Sequence, residues 1–508
     1  MDIVTAQEMY EWDRAALDAA GIEGKMLMES AGRAVADDMV HHIRKQDKVI
    51  VLIGSGNNGG DGFVIARTLL NRGYDIEAWQ VVPDEKITGD ARVHKDIFVA
   101  SGFSVNLYSS LEELQLSFQN ADIIIDAMVG IGVKGRLRTP IAEIVEAANG
   151  HSVFRMAVDL PSGVPADEGI VDFDAFHADY TTVIAAPKMS AFLQHSRPYY
   201  GDYCIVEIGL PIRKLPPVNR GLWRKEDVRR TLPVRGENSH KGSHGKGVMV
   251  GGSLLMPGSI AMAGRAALRS GVGLLTIATV ERAISSISPY LQEATFVGME
   301  EEECALTGQA TDQLSGYDGI AVGMGMGRKR GAKRLLEVIV QEVEAPMLID
   351  ADGLYHLKEI LDVVRERKSP TVLTPHPGEF AHLTGLSIQD VLQSPFSYSR
   401  EFAAKYGVYL VLKGPSTIIT SPDGEQRVDV SGNAGLAKGG SGDVLSGVLF
   451  AMMLQSDSLL DALSNGCVIH GCTAESLTEE KHSKRDLLAS DVIEGLSRTF
   501  RTISSASR

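Results

Sequence analysis

Three observations predict an α/β chain of two domains. Short runs rich in Val, Ile and Leu recur along the sequence, and most open into glycine, carboxylate or amide residues followed by helical spacing. At 508 residues the chain exceeds what a single core usually supports. Pro211 to Asp227 has three prolines, a run of basic residues and no periodicity, so it reads as a stiff connection. The predicted boundaries are 1–212 for the first domain, 213–226 for the linker and 227–508 for the second domain.

Composition narrows the function. With 50 basic and 65 acidic residues the net charge is −15, which argues against general affinity for nucleic acid or an anionic membrane. The 53 glycines gather after apolar runs, as in nucleotide sites. Cys204, Cys304, Cys467 and Cys472 form no CxxC pair, so reduced and mostly buried thiols are expected. The opening MDIVTAQEMYEWDRAAL has no apolar core segment, no stretch approaches a membrane span, and a cytoplasmic location is expected.

In the first domain, Met9, Trp12, Ala16 and Ala19 give helical spacing between Thr5 and Ala20, and a second helix is predicted from Leu27 to His41. Val49–Ile53 reads as a buried parallel strand running into Gly54, Gly56 and Gly59, a GxGxxG pattern with Glu77 about 20 residues on, as a Rossmann-like three-layer αβα domain requires. Asn57, Asn58 and Asp61 make this loop unusually polar, suiting a hard cation or a hydroxyl-rich ligand, with turn formation as the plainer reading. A helix is predicted from Phe63 to Asn71. Strands at Ile123–Asp126 and Val153–Val158 end in Asp126 and in Asp159-Leu160-Pro161-Ser162-Gly163. Further strands are predicted at 180–185 and 204–208. In an open α/β sheet the carboxyl ends of strands line the ligand crevice, so these loops should meet.

NNGGDGF, DAMVGIGVKGRLR and VDLPSG resemble the motifs of the NAD(P)H-hydrate epimerase family from about Ile3 to Leu210. The resemblance implies inversion of hydrated NADH or NADPH at the damaged ring carbon, with a potassium ion held by Asn58, Asp126 and Ser162. It assigns the dinucleotide to Asn57, Asn58, Gly59, Gly60 and Asp61, and to Gly130, Ile131, Gly132, Val133, Lys134, Gly135 and Arg136. Asp159 would contact the hydrated ring as the acid/base group, with Lys134 a weaker candidate. AMVGIG departs from the family pattern, which bears on loop packing.

In the second domain, strands are predicted at Val248–Val250, Leu274–Thr279, Ile320–Val322, Met347–Ile349, Thr371–Leu373 and Val408–Leu412. Several open into polar or glycine-rich ends: Gly323 to Gly327, Asp350-Ala351-Asp352-Gly353, Thr374 to Glu379, and Lys413 to Thr417. A helix should start near Ser259 and reach Arg269. His240 and His244 are separated by glycines that argue against a helical metal pair. GNAGLAKGGSGDVLSG, Gly432–Gly447, joins a flexible anion cradle to a helix whose first turn carries Asp443. Asp443 could take a proton from a hydroxyl being phosphorylated, or serve only as an N-cap.

HKGSHGKGVMVGGS, MPGSIAMAGRAALRSGVG, LIDADGL, LTPHPGEF, VLKGPSTII and that glycine-rich stretch resemble, in order, the NAD(P)H-hydrate dehydratase branch of the ribokinase-like fold from about Arg224 to Phe500. The resemblance implies phosphorylation of the ring hydroxyl by a nucleotide with Mg²⁺, then loss of phosphate to regenerate NAD(P)H. It makes Asp443 the base and places Ser259, Gly325 and His376 on the hydrated cofactor. Lys413, Gly414, Pro415, Ser416, Thr417 and Gly442 would hold the nucleotide. ADP is the expected donor, with ATP as the alternative, and a homo-oligomer is expected because relatives assemble. A small-molecule kinase with a dinucleotide-binding domain, or a scaffold without catalysis, are the alternatives; retention of Asp443, Lys413 and Asp159 argues against the scaffold.

Overall fold

The computed structural model describes residues 1–133, 135–307 and 312–505. The chain divides into two compact units, Met1–Val218 and Asn219–Arg508.

The first unit is built on β1 (Lys48–Ile53), β2 (Asp75–Gln80), β3 (Val105–Leu107), β4 (Ile123–Ala127), β5 (Phe154–Val158), β6 (Tyr180–Ile184) and β7 (Asp202–Val206). They form one parallel sheet in the order β3-β2-β1-β4-β5-β6-β7. Strands covered on both faces need no alternation, and β4 and β6 are buried at every position. Val49, Val51 and Ile53 pack on one face with α1 (Ala6–Ala20), α2 (Gly24–Met39) and α3 (Asn57–Asn71). Ile50, Leu52 and Ile124 pack on the other with Leu114, Phe118 and Ile144. The strand order reverses between β1 and β4, which opens a crevice at their carboxyl ends.

One expectation changes here. The glycine-amide run predicted as a loop before Phe63 is helical from Asn57 onward. Close packing outweighs the poor helix propensity of glycine: a Cβ on Gly59 would stand 2.1 Å from the Gly54 carbonyl oxygen, and one on Gly62 would stand 2.8 Å from Ala127 Cβ.

The second unit contains β8 (Arg220–Leu222), β9 (Lys246–Val250), β10 (Leu274–Val280), β11 (Thr295–Glu302), β12 (Ala305–Thr307), β13 (Gly319–Val322), β14 (Met347–Ile349), β15 (Thr371–Leu373), β16 (Tyr409–Leu412), β17 (Thr417–Thr420) and β18 (Gln426–Asp429). Their order is β12-β11-β10-β9-β13-β14-β15-β16-β17-β18-β8. Pairing is parallel from β11 to β16, and β17 adds an antiparallel hairpin with β18. β8 lies inside the segment predicted as linker. Leu222 is buried, Trp223 donates to Asn465 Oδ1 at 2.9 Å, and Arg427 stacks over the Trp223 ring, so side-chain burial recruits this stretch to the sheet edge. Cys467 and Cys472 are buried and Cys204 and Cys304 half-buried, all four as free thiols. Among the described residues no helix is long and apolar enough to cross a membrane.

Candidate active sites

In the first unit, a cavity of about 850 Å³ opens at the β1/β4 crevice and is lined in part by Asn57, Asn58, Asp61, Asp159, Asp13 and Lys188. Asp159 follows β5 directly and takes a left-handed backbone, φ 69°, which Asp tolerates better than bulkier residues. That turn lays its carboxylate across the end of β6. Oδ1 accepts the Ile184 amide at 3.0 Å and pairs with the ammonium of Lys188, which is 1% exposed. Lys188 is itself clamped by the amino terminus, where the Val4 amide donates to Pro187 O at 3.0 Å and the Met189 amide to Val4 O at 3.3 Å.

Of the predicted cation ligands, Asp126 and Ser162 are hydrogen-bonded to each other, and Asn58 lines the cavity. Ser162 Oγ donates to Asp126 Oδ1 at 2.6 Å, and the Ser162 amide donates to Oδ2 at 2.7 Å. The Val129 amide donates to Ser162 Oγ at 2.8 Å. Both side-chain polar atoms of Asn58 are buried without a hydrogen-bond partner, an arrangement that costs free energy unless something else occupies them. Burial also pushes the Asp126 carboxyl up to about 6, against the opposing hydrogen bonds from Ser162 and Met128. An orphaned amide oxygen, a hydroxyl and a desolvated carboxylate are oxygen donors of the kind a hard cation takes.

Other expected contacts are not brought to the cavity. Gly59 and Gly60 serve packing, Gly60 against Met28. Gly130, Ile131 and Gly132 line the cavity, whereas Val133, Gly135 and Arg136 are not among the lining residues. Arg136 is instead exposed and paired with Asp172. Glu77 accepts the Trp79 indole N–H at 3.1 Å on an exposed position of β2, away from the cavity. Lys134 lies outside the described residues.

In the second unit, Asp443 sits in the first turn of the helix Ser441–Gln455, whose cap Gly440 has φ 92°. Burial, then the charge of Asp350, raises the Asp443 carboxyl to about 6, while a hydrogen bond from Ser259 and the charge of Lys413 oppose the rise. Ser259 belongs to the helix Pro257–Arg269, and a Cβ on Gly325, φ 62°, would stand 3.0 Å from Ser259 Cβ. Ser259, Gly325 and Asp443 therefore form one group.

Lys413 joins the group from the end of β16. Its ammonium is 2.9 Å from Asp350 Oδ1 and 3.9 Å from Glu379 Oε2. Asp350 also accepts Ser446 Oγ at 2.6 Å. Burial alone would raise Asp350, but Lys413 and Ser446 hold it below the usual carboxylate range. The same pairing, with Glu379 contributing, holds Lys413 above its ordinary value against burial. Lys413 is thus engaged by carboxylates of its own unit. Ser416 Oγ is buried without a partner in the loop after it, where Gly414 and Pro415 are exposed and Thr417 Oγ1 donates to Gly414 O at 3.3 Å. His376 caps the helix Pro377–Thr384: its Nδ1 accepts the Gly378 amide at 3.0 Å, and Glu379 Oε2 accepts the His376 amide at 2.9 Å.

Asp159 and Lys188 of the first unit, and Asp443 and Lys413 of the second, lie within stretches that match known families. Residues 248–498 match the family described as NAD(P)H-hydrate dehydratase, and residues 24–190 match the YjeF-related protein N-terminus. The bifunctional NAD(P)H-hydrate repair enzyme Nnr of Moorella thermoacetica is 32% identical over 99% of this chain and 97% of its own length. The chain belongs to the bifunctional NAD(P)H-hydrate repair enzyme family. The Escherichia coli K12 member is 31% identical over 97% of this chain and 93% of its own length. A ribokinase-like superfamily protein from Enterococcus faecalis V583 matches with a TM-score of 0.50 at 24% identity, covering 57% of this chain and 98% of its own, and supports the ribokinase-like fold of the second unit. A Bacillus subtilis structure described as ADP/ATP-dependent NAD(P)H-hydrate dehydratase co-crystallized with ATP/Mg²⁺ is 34% identical over 56% of this chain and 100% of its own, with a TM-score of 0.49.

Against this family setting, sequence reasoning missed Lys188 and Asp13 in the first site and the buried Asp350–Ser446 support in the second. Lys188 had a readable signal, a lysine four residues past an apolar strand. Asp13 had none, because an acid on an amphipathic helix looks like a solvated face.

Proposed function

We propose that this chain repairs hydrated NADH and NADPH in two steps, inversion of the hydroxylated ring carbon in the first unit and nucleotide-driven dehydration of the S form in the second. The observation that carries the reading is the second-unit cluster: a carboxylate raised toward neutrality at a glycine-rich helix start, hydrogen-bonded by Ser259 and backed by the Asp350–Lys413 pair. A base poised near the working pH suits deprotonation of a hydroxyl during phosphoryl transfer.

In this reading Asp443 takes the ring hydroxyl proton as the oxygen attacks the terminal phosphoryl group of ADP. The phosphate then leaves with its C–O electron pair, the neighbouring carbon loses a proton, and NAD(P)H, AMP and phosphate result. Phosphate leaves far more easily than hydroxide, which is why a nucleotide is consumed. Gly442 and the amides of the helix start face the phosphates, and the loop from Gly414 to Thr417 takes the rest of the nucleotide. Asp350 and Glu379 face Lys413, so Mg²⁺ would come with the nucleotide and would supply positive charge to its phosphates.

In the first unit Asp159 exchanges the proton of the ring hydroxyl, with Asn57, Asn58, Asp61 and Gly130 to Gly132 around the dinucleotide. Asn58, Asp126 and Ser162 would hold potassium, which supplies positive charge to a desolvated carboxylate beside the dinucleotide.

The test supplies the separate S and R epimers of hydrated NADH with Mg²⁺ and ADP or ATP, following dihydronicotinamide absorbance and free phosphate. Matched recovery of both from either epimer is the expected result, fastest with ADP. A stable phosphorylated product would replace this reading with a small-molecule kinase. Light scattering of the same preparation tests the expected homo-oligomer.

A further inference from the structure

We propose that Asp13 is a second proton-transferring residue of the epimerisation site, working with Asp159 and its partner Lys188. The inference rests on the epimerase reading above and adds a residue from α1 that the dinucleotide motifs do not contain.

Asp13 lines the same cavity as Asp159 and Lys188, half-buried, and makes no hydrogen bond or ion pair among the described residues. An acid on a helix facing solvent needs no partner, but one lining a cavity at this depth is normally satisfied. The titratable and charged groups that line the cavity with it are Tyr10 and Arg14 from α1, Asp61 from α3, Asp90 at the start of the helix Gly89–Ala100, and Asp159 and Lys188 from the ends of β5 and β6. Burial raises Asp13 to about 6, with Lys188 opposing and Asp159 adding to the rise. Asp61 is deeper and pushed well above the ordinary range, again by burial first. A carboxyl near 6 can give and regain a proton in each turnover.

The chemistry calls for two such positions. Hydration leaves a carbon bearing both a hydroxyl and the ring nitrogen, and its inversion requires breaking one of these bonds. Written through ring opening, Asp159 accepts the hydroxyl proton as the C=O bond forms. The C–N electron pair moves to nitrogen, which takes a proton from Asp13. Rotation about the adjoining C–C bond turns the aldehyde over, and nitrogen adds to its other face. Asp13 recovers its proton, Asp159 returns the one it took, and no atom is gained or lost.

The experiment measures interconversion of the isolated epimers without nucleotide, in the full chain, corrected for the spontaneous rate, across pH 5 to 9. Asp13→Asn is expected to lower kcat about 100-fold with KM within about threefold, and Asp13→Glu to restore about a tenth of the rate. In the native chain kcat/KM should fall as pH rises through about 6, where Asp13 loses its proton, and this limb should be absent from Asp13→Asn. A rate for Asp13→Asn within threefold of native overturns the proposal. So does a limb that survives in Asp13→Asn and vanishes in Asp61→Asn, which would make Asp61 the donor. A native chain that inverts neither epimer would instead sink the epimerase reading itself.

Discussion

The ammonium of Lys413 stands 2.9 Å from Asp350, and a Cβ on Gly442 would lie only 3.6 Å from it. A buried ion pair therefore sits against the first turn of the helix that carries Asp443. Cation and helix start both favour an anion at this point, and Asp350 offsets part of that charge when no phosphate is present.

Removing the cation should cost stability as well as activity. Lys413→Met leaves Asp350, 1% exposed, with only the hydroxyls of Ser446 and Thr374 against it, and breaking a buried pair in this way costs about 3–5 kcal/mol. Urea unfolding should show the loss in the transition of the second unit, while inversion of the epimers by the first unit continues at the native rate.

Asp443 links activity and stability to pH with opposite signs. As a base it works unprotonated, so dehydration kcat/KM should drop tenfold per unit as pH falls below about 6 and level off above it. Its folded value lies above the ordinary 3.8, so the folded state holds an extra proton between roughly 4 and 6. Stability from this group is fully present below that window and is lost as pH rises through it. Asp443→Asn should then abolish repair of both epimers while raising stability at pH 7 by about 1–2 kcal/mol. A variant that still dehydrates within tenfold of the native rate would remove Asp443 from the chemistry.

Potassium should be visible as a stabiliser of the first unit. Replacing choline chloride by KCl at constant ionic strength is expected to raise its melting temperature, with a gain of about 2.7 kcal/mol at 100 times Kd. Asn58→Leu removes the orphaned amide oxygen and should erase the difference between the two salts. Retention of the full KCl effect in that variant would place the ion elsewhere.

The close approach of β1 and β4 leaves no room for a side chain. A Cβ on Gly54 would lie 1.8 Å from the Met128 carbonyl oxygen, so Gly54→Ala must push apart the strand ends that frame the cavity. Inversion should fall by at least tenfold and the first unit lose about 1–3 kcal/mol, with dehydration unaffected. A differential unfolding scan and the two separate assays decide it.

The strands that position the sites were legible because parallel strands buried on both faces read as unbroken apolar runs, as at Val49–Ile53 and Ile123–Ile125. The strands β2, β8 and β18, at or next to the sheet edges, were not, since partly exposed sequences such as Asp75–Gln80 mix polar and apolar residues. The helical start at Asn57 was hidden for another reason: glycine is a poor helix former in isolation, and only contact with Gly54 and Ala127 makes it the better choice there.

By itself the chain's order of residues determined the two α/β units, the acids Asp159 and Asp443 at strand and helix ends, and the family they belong to. Tertiary structure alone decided which charges face one another. Lys188 and Asp159 lie 29 residues apart, and Lys413 and Asp350 63 apart, and each pair meets because parallel strands of one sheet, β5 beside β6 and β14 and β16 with β15 between them, deliver their carboxyl ends to the same side. Pairing across strands depends on sheet order and burial, quantities that no local pattern of residues encodes.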